Sequence, residues 1–124
     1  MPSREQIRQR LQTVIASVFN GTIFTTRYPD ARELSEFVCI HIQSGETEHG
    51  FGNSITTAEL IVSINKQGAE DSDLDSIGES ITSAIQSDAV LRSDLVGLYQ
   101  TGFSYESLES DGATSLNLKF TIMY

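Results

Sequence analysis

Cys39 and His41 stand two residues apart. On an extended strand both side chains project to one side, as a metal pair or a thiolate with its base would require. A zinc site needs further ligands and a nucleophilic thiol needs an orienting third group, and the sequence supplies neither. Cys39 therefore reads as a small apolar residue of a core. His49 lies beside Glu46 and Glu48 in a glycine-rich stretch, a set that could loosely hold a cation but that a solvated loop explains better. Glu70, Asp71, Asp73 and Asp75 superficially resemble a calcium loop, but the central glycine and the distal glutamate are missing. Carboxylates crowding a helix start account for them better. Gly50-Phe51-Gly52 is no dinucleotide fingerprint, because Ile55 stands where the third glycine belongs. With no phosphate-binding loop, nucleophile elbow or His-Glu-x-x-His motif, no catalytic residue, cofactor or metal ligand is expected.

The elements that carry these residues follow from periodicity. Ser3 to Asn20 is a helix candidate: Ser3 and Gln6 make a capping box, and Ile7, Leu11, Val14, Ile15 and Val18 recur at helical spacing. Ile23 to Thr26 is a short β-prone run, interrupted by Tyr28-Pro29-Asp30. Phe37 to Gln43 reads as a strand with Val38, Ile40 and Ile42 on one face, and Thr57 to Asn65 as another with Ala58, Leu60, Val62 and Ile64. Between them Ser44 to Thr56 is rich in glycine and polar residues and reads as a loop, mobile or functional. Asp71 to Ser87 is the second helix, with Gly78 on its apolar stripe suited to close packing.

The last third alternates on both sides of Asp111-Gly112, a strong hairpin signal. With Ser110 facing Ala113, Tyr105 would oppose Leu118, Phe103 would oppose Phe120, and Tyr99 would oppose Tyr124. That register puts the apolar residues, including these aromatics, on one core-facing side. The opposite face would carry Glu59, Ser63, Asn65, Gln100, Ser104, Glu106, Asn117, Lys119 and Thr121, a polar surface. The expected fold is α/β of the α+β kind. It is a two-layer sandwich with two helices on one face of a mostly antiparallel or mixed sheet of about five strands.

The chain's 124 residues suit a single domain, 1–124, which on folding would bury roughly two-thirds of its extended surface. Its formal charge of −9 and pI near 4.5 disfavour nucleic-acid phosphates and anionic membranes as partners. No apolar run approaches the ~20 residues of a membrane span, and the first residues lack a signal peptide's apolar core. One cysteine suits a reducing compartment. A soluble protein made in the cytoplasm is expected, and the Asn20-Gly21-Thr22 sequon then reads as a helix end.

Two stretches resemble the C-terminal half of the phage minor tail protein U family: SDLDSIGESITSAIQSDAVLRSDLVGLYQTGFSYE, Ser72 to Glu106, and DGATSLNLKFTIMY, Asp111 to Tyr124. The likeness lies in an acidic-capped helix, the step Ser93-Asp94-Leu95, a strand with Gly102, Phe103 and Tyr105, an acidic turn, and a final strand ending in an aromatic residue. The resemblance implies a tail terminator of a long-tailed phage or prophage. This is a structural virion protein, not an enzyme, that forms a hexameric ring, caps the tail tube and offers a head-joining surface. Implied partners are further copies of itself, the tail tube protein and a head-tail joining or tail completion protein, with DNA passing through the ring but not specifically bound. Implied locations are the host cytoplasm during assembly and then the virion tail. Candidate contact residues are Glu46, Glu48, His49, Phe51, Asn53, Glu59, Glu106 and Lys119. The rival reading is a small-molecule-binding regulatory module with a ferredoxin-like fold, although such modules usually open on a strand. A hydrolase built on Cys39 and His41 is a third and poorer fit.

Overall fold

The computed structural model describes residues 3–25, 34–50, 52–108 and 113–124. In chain order the elements are α1 (Arg4–Ala16), β1 (Thr22–Phe24), β2 (Glu36–Gly50), β3 (Asn53–Gln67), α2 (Asp71–Ser87), α3 (Ala89–Asp94), β4 (Gly97–Leu108) and β5 (Ala113–Met123). The strands form one mixed sheet in the order β1-β2-β3-β5-β4. Only β1 with β2 is parallel, over three residue pairs; every other neighbour is antiparallel.

Local chemistry explains the helix starts. In α1 the Ser3 hydroxyl accepts from the Gln6 N–H at 3.1 Å and the Gln6 side chain accepts from the Ser3 N–H at 2.8 Å, the expected capping box. At α2 the Asp73 carboxylate accepts from the Glu70 N–H at 3.2 Å. At α3 the Asp88 carboxylate accepts from Leu91 N–H at 3.0 Å and also receives Arg10 of α1 in a two-pronged pair of 2.6 and 3.0 Å. Asp88 thus caps one helix while tying it to another.

All three helices lie on one side. Ile7, Leu11 and Ile15 of α1, Leu74, Ile81 and Ile85 of α2, and Leu91 of α3 meet the even-numbered apolar residues of β3 and β5 in one core. At Gly78 an added Cβ would lie 2.9 Å from Leu116 Cδ2, so glycine there lets α2 sit directly on β5, as its place on the stripe suggested.

Two bulges decide which residues face which side. On β2, Ile42 pairs with Leu60 and Ser44 with Glu59, leaving Gln43 as an extra residue. On β4, Gln100 pairs with Phe120 and Gly102 with Lys119, leaving Thr101 extra. Since β3 pairs Leu60 with Phe120, the two bulges sit in adjacent rows across the sheet. Each inverts the alternation beyond it. Val38, Ile40 and Ile42 face the helices, whereas Ser44, Glu46 and Glu48 face away. Leu98 and Gln100 face the helices, and past the bulge so do Phe103 and Tyr105.

The expected β4–β5 register is wrong by two residues past the bulge at Thr101 and by three before it. Phe103 opposes Leu118, Tyr105 opposes Leu116, and Leu108 opposes Ala113; the expected Asp111-Gly112 turn lies outside the described residues. Tyr99 opposes Thr121 and so belongs to the far face, while Gln100 belongs to the helix side, the reverse of the expected placement. Most of Ser44 to Thr56, expected as a loop, forms strand, 44–50 in β2 and 53–56 in β3: their pairing continues to Gly50 and Asn53.

Candidate functional site

The Cys39–His41 pair does share a face. Cys39 opposes Ser63 and His41 opposes Ile61, both on the side away from the helices. Cys39 is buried, and burial pushes its thiol up to about 11, which keeps it protonated at neutral pH and unsuited to nucleophilic work. Among the described residues no group of three or more His, Cys, Asp and Glu comes together in a metal-binding arrangement. No described helix is long and apolar enough to cross a membrane.

The unusual features lie on the two margins of the sheet. The first is an arm. β5 stops pairing at Tyr124, whose backbone exchanges hydrogen bonds of 2.7 and 2.9 Å with Thr56. Past that row, among the described residues, only β2 and β3 remain paired, Glu48 with Ile55, His49 with Ser54 and Gly50 with Asn53. At about 3.3 Å per residue this free ribbon projects roughly 10 Å beyond the sheet. Gly52, at φ +83°, stands at its tip in a conformation that suits glycine. Glu46, Glu48, His49 and Asn53 are exposed on the arm, and Phe51 lies outside the described residues. Glu46 and Glu48 project to the far side, Thr47 and His49 to the helix side.

The second margin is β4. It is the last strand on its side, so its outer row of N–H and C=O groups has no strand partner among the described residues over twelve residues. Strand edges of this length are normally blunted by lysine, proline or a covering segment; β4 carries neither residue type, and its one charged side chain is Glu106. The seven large apolar or aromatic side chains exposed among the described residues concentrate here: Val96, Tyr99, Phe103 and Tyr105 against Val18, Ile55 and Val90 elsewhere. Phe103 is 61 % exposed and packs edge-on to Tyr105 at 5.7 Å. The expectation that Tyr99, Phe103 and Tyr105 belong to the core is therefore corrected, Tyr99 because its pairing turns it to the far face and Phe103 and Tyr105 because the helices stop short of β4; Phe120 and Tyr124 are buried as expected. The signal for the difference was Gly102, since an isolated glycine within a strand marks a bulge or a gap.

Between α2 and β4 runs an open groove of about 360 Å³, floored by Phe103, Leu116 and Leu118 and rimmed by Asp75 and Glu79. The Tyr105 hydroxyl donates to the Asp75 carboxylate across it, and this bond, more than burial, pushes the phenol up to about 12. On the far face Glu59 opposes Thr121, Lys119 opposes Gly102, and Glu106 opposes Ser115. The sequence-chosen residues thus divide between the arm and the far face at β3, β5 and β4. A second feature of the far face is an aromatic pair at the opposite corner, Phe24 against Phe37 at 5.8 Å.

Comparison with known proteins agrees with this fold. Among curated protein sequences none matches the chain. A solved chain described as "Virion of native gene transfer agent (GTA) particle" superimposes with a TM-score of 0.57 at 13 % identity, covering 94 % of this chain and 88 % of that one. The profile described as "Phage minor tail protein U" matches residues 3–124. Over nearly its whole length, therefore, the chain belongs to the phage minor tail protein U family.

Proposed function

We propose that this phage tail structural protein acts as the tail terminator, closing into a ring on the end of the tail tube, halting its growth and presenting the surface that the head joins. One observation carries the reading beyond family membership: the same sheet ends in two different margins without a strand partner among the described residues, the arm on the β2 side and the edge of β4 on the other. A closed ring needs two such dissimilar patches on every subunit, whereas a two-fold dimer needs only one that fits itself. A hexamer of a one-domain subunit is the ring expected within the family. The protein works by binding, assembled in the host cytoplasm and then held in the virion tail. Its interaction residues are Glu46, Glu48, His49 and Asn53 on the arm, Glu59 and Lys119 on the far face and Glu106 on β4; the tube protein and a head-tail joining or completion protein meet the remaining ring faces. The excess of carboxylates would keep passing DNA from adhering to the lumen.

The test is electron microscopy of tail tubes polymerised with and without the protein. Tubes ending in a closed ring and ceasing to grow are expected. Tubes that elongate equally in its presence would refute the reading, and a basic or apolar lumen would remove the part concerning DNA.

A further inference from the structure

Resting on the ring reading, we infer that neighbouring subunits are joined by strand addition: the outer edge of β2 along the arm, Ser44–Gly50, of one copy pairs with the edge of β4 of the next. The occupant is a second copy because directions, faces and charges all match. In the sheet β2 and β5 run one way, β3 and β4 the other. Placing a second copy beside the first in the same orientation sets its β2 antiparallel to β4, with helix sides on one common face. This is the more stable kind of ladder, and it supplies a partner to two edges that have none among the described residues. β1 covers β2 only at Phe37–Cys39, which leaves the arm clear of it.

The charges then sort by face. On the far side the arm brings Glu46 and Glu48, and the receiving sheet offers Lys119, which has no ion-pair partner among the described residues. Lys119 lies beside Gly102 of β4, where an added Cβ would meet nothing within 4 Å. A glycine at that row opens the route: a carboxylate on the added strand reaches over it to an ammonium two strands away, about 10 Å between backbones. With Glu48 opposite Gly102, Glu46 opposes Ser104 and Ser44 opposes Glu106, so no two carboxylates face each other. On the helix side the same register sets Thr47 over Phe103, and it brings His49 toward the end of the groove rimmed by Asp75 and Glu79. The bulge at Gln43 is what places the glutamates on Lys119's side.

Charge exchange and a cross-link test the joint together. Lys119→Glu should weaken ring formation on tail tubes roughly tenfold or more, because it sets like charges together, and adding Glu48→Lys should restore it. In a Cys39→Ser background, Glu46→Cys with Ser104→Cys should give disulfide-linked ladders ending at a closed species, since directly opposed positions fall within bonding range. Glu46→Cys with Thr114→Cys, far down the sheet, should not. Rings that form as in wild type with Lys119→Glu, or that carry no Glu46–Ser104 cross-link, overturn this joint while leaving the terminator reading intact. Wild-type protein that never caps tubes refutes the terminator reading itself, and a Glu46–Ser104 cross-link formed in solution would still support the joint. Circular dichroism of each variant separates lost assembly from lost folding.

Discussion

Phe120 and Phe103 face the same side of the same sheet one strand apart, yet Phe120 is fully buried and Phe103 is 61 % exposed. The difference is coverage. α1 and α2 span β2, β3 and β5, and neither reaches across β4. An alternating pattern identifies the apolar face of a strand, whereas burial depends on how far the next layer extends. The covered part is a stable platform and the uncovered margins are where partners must bind.

The widest separation between the two regions is expected in truncation. Phe120→Ala should cost about 3–5 kcal/mol in urea unfolding, and Phe103→Ala less than about 1 kcal/mol, while the latter damages assembly more than stability. Similar losses from both would mean that β4 is covered in the free protein. Next comes the contact that seats α2. Gly78→Val should cost about 1–3 kcal/mol through overpacking against Leu116 and Leu118. Gly78→Ala should be nearly neutral, because the yielding end of Leu116 can move and alanine improves helix propensity by about 1 kcal/mol.

A smaller effect should follow at Asp88. Removing its cap with Asp88→Ala should cost about 1 kcal/mol and change the pH response. Arg10 holds the Asp88 carboxyl below its usual range, against the opposing effect of burial, and the Leu91 N–H adds to the lowering. Its contribution is therefore complete above the unfolded value of about 3.9 and fades as the pH falls through the lower folded value. Between those values the variant's stability should decline less steeply with acid than that of wild type, as thermal melts from pH 6 to 2 would show. The smallest change belongs to the groove. Asp75→Asn should bring the Tyr105 phenol back from about 12 toward 10 in an ultraviolet titration, with little change in melting; an unmoved phenol would mean the hydroxyl has another partner.

Much of the platform was readable from residue order. α2 spans Asp71–Ser87 as the stripe indicated, and Ser3-Gln6 caps α1. The six-residue α3 was too short to show a period. The margins were harder for a physical reason. A free ribbon is wet on both faces, so residues 46–55 carry no apolar alternation to mark them as strand, and glycines with polar residues read as a loop. On β4 the extra residue Thr101 reverses the alternation midway, so Tyr99 and Phe103, both odd-numbered, fall on opposite faces. One continuous period assigns them together, with a register two residues off at Phe103 and three at Tyr99. Glu46, Glu48 and Lys119 were chosen for charge and exposure, but nothing in one sequence set Lys119 beside an open glycine.

The bulge at Gln43 also separates two properties that strands usually bind together. Ile42 already pairs with Leu60 and Ser44 with Glu59, so excising residue 43 would leave every later side chain on its present face and take away the local bend. Excising any single residue between 45 and 49 would instead turn part of the arm over. Position 43 is thus a place where genetic drift in length can redirect the arm without rewriting its chemistry, one codon at a time.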